Sequence, residues 1–133
     1  IGDILAVSNG VRFMRDATRG GLASVLAELA SLTGMGIHIE EKNIPLKKEV
    51  RGMCELLGFD PLHVANEGKV VMVASRSEAE KILKTMTKRV EGKAAAIIGE
   101  IVSDHPSKVV LKMVAGGSRY IEQLSGDQLP RIC

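Results

Sequence analysis

The spacing of apolar residues changes from a helical to a strand period within the first third of the chain, and this change constrains the fold most. Over residues 18–33 the apolar positions recur every three or four residues, as along one face of a helix. They are Leu22, Val25, Leu26 and Leu29. Residues 37–40 then alternate apolar and polar side chains, which is typical of a half-buried strand. Because both periods occur, we predict an α+β fold with helices packed on a mixed β-sheet.

The rest of the chain continues this alternation. A second helix is predicted between Pro45 and Gly58. Its proposed buried face consists of Val50, Met53, Cys54 and Leu57. Residues 70–73 are a continuous apolar run between turns, which predicts a strand buried on both faces. Ser77 and Glu80 form a capping-box pattern that predicts a third helix. Further strands are predicted at residues 96–102, 109–114 and 119–121. One domain would then span residues 1–121, followed by a tail over residues 122–133.

Composition excludes several classes of protein. Hydrophobic residues make up 45% and charged residues 26% of the chain, as in an ordinary globular domain. A net charge of +2 and the near absence of aromatic residues argue against a nucleic-acid partner. We also expect no membrane segment and no signal peptide, and therefore a cytoplasmic protein. The three histidines and two cysteines lack metal-ligand spacing, so we predict no metal bound by this chain.

A glycine pair follows two arginines at the predicted start of the first helix. In the segment 15–21, the backbone N–H groups of Gly20 and Gly21 would approach an anion, and Arg15 and Arg19 would add contacts to phosphate. The alternative is a tight helix entry in which Thr18 is the N-cap and the arginines are solvated. The pattern alone leaves both interpretations open.

A second polar segment, residues 65–69, has the sequence Ala-Asn-Glu-Gly-Lys and enters the predicted buried strand. A carboxylate at the mouth of a strand is well placed for a general base, which makes Glu67 a candidate. Asn-Glu-Gly is equally good turn chemistry, so a purely structural role remains an alternative.

The chain ends in Leu-Pro-Arg-Ile-Cys. A thiol at the end of a tail can move between sites as a covalent carrier, because a thiolate is both a nucleophile and a workable leaving group. The alternative is that Cys133 is incidental. We predict that Cys54, on the buried face of its helix, is a packed and unreactive thiol.

Taken in order along the chain, six segments resemble the HypE family of hydrogenase maturation proteins, within the aminoimidazole ribonucleotide synthetase (PurM) superfamily. The segments are residues 14–22, 54–62, 65–69, 98–101, 116–119 and 129–133. Ala17 departs from the proline common at that place in the family, but either residue is acceptable there.

The resemblance implies a domain similar to the C-terminal domain of PurM. It also implies an N-terminal domain, absent from this sequence, that holds most of the ATP and Mg²⁺ site and much of a homodimer contact. The apolar residues at positions 1–7, without an initiator Met, agree with a fragment of a longer protein. We therefore expect the isolated domain to be inactive.

The resemblance further implies a carbamoyl dehydratase. HypF would place a carbamoyl group on the thiol of Cys133. ATP would activate the carboxamide oxygen, and Glu67 would remove protons from the nitrogen. The cyanide would pass to iron on a HypC–HypD complex. The implied substrate-binding residues are Asn66, Asp16, Thr18, Arg19, Gly20 and Gly21.

Two other functions fit parts of the sequence. The chain could be the C-terminal domain of a purine-synthesis or selenophosphate-forming enzyme, although such enzymes have no use for a terminal thiol carrier. It could also be a non-catalytic interaction module that only presents its tail to partners.

Overall fold

The computed structural model describes residues 1–123. It contains four α-helices, two short 3₁₀ turns and six strands within this range. The helices are α1 (Gly2–Val7), α2 (Gly21–Thr33), α3 (Lys48–Leu57) and α4 (Arg76–Thr87). The strands are β1 (Val11–Ala17), β2 (Gly36–Glu40), β3 (Asn66–Ala74), β4 (Gly99–Val102), β5 (Val109–Lys112) and β6 (Ser118–Ile121). The 3₁₀ turns are Glu41–Asn43 and Pro61–His63.

Four strands form a mixed sheet in the order β4-β2-β5-β6. Strand β2 pairs antiparallel with β4 and parallel with β5, and β5 pairs antiparallel with β6. Side chains alternate across it as the sequence predicts, since Ile37 and Ile39 are buried and His38 between them is not. The predicted α+β fold with a mixed sheet is confirmed.

Helix α2 covers one face of this four-stranded sheet and forms the core with it. The predicted apolar stripe is confirmed, because Val25, Leu26 and Leu29 are buried and Leu22 is half-buried. The core cluster consists of Ala23, Leu26, Leu29, Ala30, Ile37, Ile39, Leu62, Val109, Leu111 and Ile121. The helix begins at Gly21, three residues later than predicted, because the preceding residues belong to a strand and a turn.

Strands β1 and β3 form a separate two-stranded antiparallel sheet. The sequence did not predict β1. The prediction that residues 70–73 are buried on both faces is wrong, since Val70 is 38% exposed and the next three residues are only half-buried. The reason is the topology: a two-stranded sheet has no neighbouring strands, and only part of its surface packs against α2.

Helices α3 and α4 lie outside the core, and both begin near the predicted places. The predicted buried face of α3 is wrong except at Cys54, because Val50, Met53 and Leu57 are 40–57% exposed. The N-cap of α4 is Ser75 rather than Ser77, and its side chain makes no capping hydrogen bond. Helix α3 therefore exposes apolar surface in this chain, whereas α4 buries Ile82.

The first residues form the short helix α1, which contacts α4 and buries Ile4. Over residues 1–123, the longest helix has 13 residues, and none combines the length and apolar character required to cross a bilayer.

Candidate functional site

The two polar segments that the sequence singled out meet at one end of the two-stranded sheet. Because the strands run antiparallel, the last residues of β1 face the first residues of β3. Ala17 pairs with Asn66, and Asp16 pairs with Val70. The segment 15–21 and the segment 65–69 therefore form one surface, an adjacency that neither segment shows by itself.

This register contains a bulge of three residues. The β1 side moves by one residue, from Ala17 to Asp16, while the β3 side moves from Asn66 to Val70. The intervening residues, Glu67, Gly68 and Lys69, are not paired, and we call them the bulge. Gly68 has φ 73°, a left-handed conformation that favours glycine. Bulges that redirect a side chain occur often beside active sites.

Glu67 lies in this bulge with an exposed side chain. Its neighbours Asn66 and Lys69 are exposed as well. Residues 65–70 are all exposed, so the candidate site is an open surface on this chain. A base in this position is accessible to a substrate, but water is excluded from it only where another surface closes over it.

The helix N-terminus beside the bulge depends on two glycines in the left-handed region. Gly20 is the N-cap of α2 with φ 67°, and Gly21 has φ 64°. A Cβ atom on Gly21 would lie 2.5 Å from the carbonyl oxygen of Leu62 and 2.6 Å from that of Val64. The glycine therefore lets α2 pack closely on the turn that leads to β3. Since the first N–H groups of a helix have no intrahelical partner, this end of α2 presents donors near the bulge.

Thr18 does not cap the helix, which contradicts that part of the alternative interpretation. Its hydroxyl instead donates to Asp16 Oδ1 at 3.3 Å. This contact tightens the turn between β1 and α2 and holds one carboxylate oxygen of Asp16.

The two arginines of the segment behave differently. Arg15 forms an ion pair with Glu28 on α2, so its guanidinium is already engaged. Arg19 is exposed and has no ion pair with another side chain of residues 1–123. Arg19 is therefore the arginine of this segment that is open to an anionic ligand.

Cys54 lines a separate cavity of about 230 Å³. The thiol is 6% exposed, which confirms the predicted packing. Near it, the backbone N–H of Val114 donates to Glu41 and lowers the pKa of that carboxyl, and Arg51 adds to the effect while burial opposes it. No residue of the two polar segments lines this cavity.

Two residues near the candidate site were missed by sequence reasoning. Glu28 contacts Arg15 from α2, and His63 lies in the 3₁₀ turn just before β3. Neither belongs to a recognisable motif, because their contacts are with residues far away in the chain. Cys133 lies outside the described residues, so the structure does not place the proposed carrier thiol. Among residues 1–123, no group of three or more His, Cys, Asp or Glu side chains could hold a metal ion.

Residues 2–112 match the family described as "AIR synthase related protein, C-terminal domain". The chain belongs to this family. A relative from Rhodobacter capsulatus, named carbamoyl dehydratase HypE, is 47% identical over 131 residues; the match covers 98% of this chain and 38% of the relative. The sequence resemblance to HypE is thereby confirmed, and the chain spans about two fifths of the length of such relatives.

Solved HypE structures agree with this assignment of the AIR synthase-related domain. The crystal structure of HypE from E. coli has a TM-score of 0.89 and 44% identity, over 98% of this chain and 40% of that one. HypE in a HypE–HypF complex has a TM-score of 0.85 and 40% identity, with 92% and 39% coverage. HypE in complex with ATP has a TM-score of 0.84 and 34% identity, with 90% and 37% coverage.

Proposed function

We propose that this domain supplies the carrier thiol and the general base of an ATP-dependent carbamoyl dehydratase. In this proposal an S-carbamoyl group on Cys133 is dehydrated to a thiocyanate, which provides cyanide for the iron centre of a NiFe-hydrogenase. The main support is the pairing of Ala17 with Asn66, which puts the bulge carrying Glu67 beside the glycine-rich start of α2.

The chemistry requires two kinds of group, and both occur at this surface. The carboxamide oxygen attacks the γ-phosphorus of ATP, and the bond from that phosphorus to the β-γ bridging oxygen breaks to release ADP. The nitrogen then loses its protons as the C–O bond breaks, which leaves a C≡N group and free phosphate. The first step needs anion-binding donors and the second needs a base.

Glu67 is the proposed base, because it is exposed and its bulge frees it from the strand ladder. The proposed phosphate contacts come from Arg19 and from the N–H groups at Gly20 and Gly21. Asn66 would orient the carboxamide through hydrogen bonds. The remaining substrate-binding residues of the proposal are Asp16 and Thr18, whose hydrogen bond lies in the turn between β1 and α2.

The rest of the reaction belongs to parts of the protein outside this chain. The open candidate site agrees with an additional domain that holds most of the ATP. By the resemblance to HypE, the same domain would also hold Mg²⁺. We therefore propose that the isolated domain is inactive. From the resemblance to HypE, we also propose that the full-length protein acts as a cytoplasmic homodimer.

The proposed partners are proteins. A solved HypE–HypF complex supports HypF as a binding partner, and its proposed role is that of the carbamoyl donor. A HypC–HypD complex is the proposed cyanide acceptor, and neither nucleic acid nor a membrane takes part.

Intact mass spectrometry of the full-length protein tests the assignment of the thiol. After incubation with the carbamoyl donor and ATP, the chain should gain one carbamoyl group and then lose one water, both mapped to Cys133. Cys133→Ala should abolish both changes. Cys54→Ala is the matched control, because that thiol is buried and should not react. Modification that survives Cys133→Ala would contradict the proposal.

A further inference from the structure

The chain leaves strand β6 beside the candidate site and is held there by two side chains. Ile121, the last residue of β6, is buried in the core. The carbonyl oxygen of Glu122 then lies 3.1 Å from His63 Nε2. Gln123 Nε2 donates to Glu28 Oε1 at 3.4 Å. The first two residues of the tail are therefore attached at separate points.

The hydrogen bond from His63 to the tail requires a hydrogen on Nε2. A carbonyl oxygen can only accept, so Nε2 must carry the hydrogen and donate it. The side chain is 7% exposed, which leaves it little freedom to turn. Its Nδ1 is buried without a hydrogen-bond partner in residues 1–123 and lies 3.6 Å from Asp60 Oδ2.

Asp60 holds the turn that presents His63. Its Oδ1 accepts a hydrogen bond from the backbone N–H of Leu62 at 2.9 Å. Its Oδ2 forms an ion pair with Arg119 of β6 at 2.5 Å. His63, which donates the hydrogen bond to the tail, is thus positioned by its link to the four-stranded sheet.

Both attachment points belong to the elements that build the candidate site. His63 is in the turn against which Gly21 packs, four residues before Glu67. Glu28 also pairs with Arg15, the first residue of the glycine-rich segment. The tail therefore starts beside α2, which carries the proposed phosphate contacts at its N-terminus, and beside the turn that precedes β3, which carries the proposed base.

We propose that His63 and Glu28 are positioning residues that fix where the tail begins and so raise the concentration of the Cys133 thiol near Glu67. This inference rests on the proposed function of that surface. Ten residues follow Gln123. A segment of that length spans at most about 35 Å, so its starting point limits which surfaces the thiol reaches. The effective concentration of a tethered group depends on how well the tether matches the distance it must span.

A disulfide equilibrium measures this concentration without ATP or a carbamoyl donor. In the full-length protein, Lys69→Cys places a thiol in the bulge, and this variant is the parent for the comparisons below. The fraction of a disulfide between positions 69 and 133, mapped by mass spectrometry in glutathione buffers, gives the effective concentration of one thiol at the other.

Two substitutions at His63 separate the hydrogen bond from the general shape of the site. In His63→Gln the amide nitrogen can replace Nε2, whereas in His63→Asn it corresponds to Nδ1 and cannot reach Glu122. We expect His63→Asn to lower the effective concentration about threefold and His63→Gln to keep it within about 1.5-fold of the parent.

A second variant, at an exposed residue, tests the same tail contact without the risk of a folding defect at the buried histidine. Gln123 is exposed, so Gln123→Ala removes the contact with Glu28 without disturbing the core. Gln123→Ala should also lower the effective concentration, by about twofold. Gln128→Ala makes the same chemical change further along the tail and should have no effect.

The outcomes are distinct. Equal values for the parent, His63→Asn and Gln123→Ala, or failure of the parent to form the disulfide, would overturn the inference. A failure of the proposed dehydration would appear only in the carbamoyl measurements and would leave the disulfide result unchanged.

Discussion

The four-stranded sheet and the two-stranded sheet use similar aliphatic residues but bury them to different extents. Ile39, Val109 and Leu111 in the four-stranded sheet are at most 2% exposed under helix α2. In the two-stranded sheet, β3 is exposed over its first five residues, and Val70 is 38% exposed. The four-stranded sheet therefore provides most of the stability. The two-stranded sheet can contain an irregular strand and exposed polar groups with little loss of stability.

The bulge illustrates this division. Three unpaired residues in a buried strand would leave backbone groups without partners, which is unfavourable. At the exposed end of the two-stranded sheet, water can satisfy those groups. The proposed base is thus found where the fold tolerates a break in strand pairing.

The largest effect is expected from truncating the core of the four-stranded sheet. Leu111→Ala should lower the free energy of unfolding by about 2–5 kcal/mol, through lost burial and a cavity. Val110→Ala is the matched control, because this neighbour is half-buried on the opposite face, and it should cost less than about 1 kcal/mol. Hydrogen exchange of the full-length protein would report the loss in strands β2 and β5. Similar losses for both variants would show that the sheet is not covered on one face only.

Two glycines at the candidate site provide a smaller and more local test. Gly21 and Gly68 both have positive φ. Only Gly21 is crowded, because no atom lies within 4 Å of a Cβ added at Gly68. Gly21→Ala should therefore cost about 2–4 kcal/mol, from strain and a clash with Leu62, whereas Gly68→Ala should cost about 1 kcal/mol.

Hydrogen exchange of α2 and β3 distinguishes these two variants. The larger increase in the exchange rate should appear in Gly21→Ala, at the start of α2. Equal effects would mean that the close approach between α2 and the 61–63 turn does not matter for stability.

The smallest effect is expected from a carboxylate beside β2. The pKa of Glu41 is lowered in the folded protein, chiefly by the N–H of Val114. A lowered pKa stabilises the fold above the unfolded-state value, and that contribution disappears as the pH falls through the folded value. Glu41→Gln should therefore lower the melting temperature at neutral pH but not at acid pH, by an amount equivalent to less than about 1 kcal/mol. Glu91→Gln is a control at an exposed residue. A loss of melting temperature in Glu41→Gln that grows at acid pH would contradict the lowered pKa of Glu41.

The sequence predicted the regions with local periodicity and missed those that depend on distant pairing. Helix α2 and strand β2 follow from the spacing of Leu26, Leu29, Ile37 and Ile39, which all face one core. Strand β1 could not be predicted in the same way, because its partner lies about fifty residues later and its own polar and apolar residues do not alternate regularly.

The sequence singled out the residues of the candidate site but did not predict how they are arranged in space. Both polar segments were recognised from their composition, and by resemblance Glu67 was assigned as the base. The bulge that separates Glu67 from the ladder is a property of strand register, which the sequence of β3 alone does not contain. The contacts of His63 and Glu28 with the tail are likewise long-range, so no local motif indicates them.

The most direct test of the central claim is the fate of the carbamoyl group in Glu67→Gln. Loading of the Cys133 thiol needs a nucleophilic sulfur and a docked partner, whereas dehydration needs removal of protons from the nitrogen. A positioned base contributes about 10²–10⁴-fold to such a step. Because Gln keeps the size of the side chain at this exposed position, the fold should be unchanged. Glu80→Gln, on the surface of α4, is the matched control.

Intact mass spectrometry of the full-length Glu67→Gln protein, supplied with the carbamoyl donor and ATP, should show the thiocarbamate accumulating with almost no thiocyanate. The parent and Glu80→Gln should proceed to the thiocyanate. If Glu67→Gln dehydrates its carboxamide at the parent rate, Glu67 is only a residue of the bulge, and the base must be sought elsewhere in the protein.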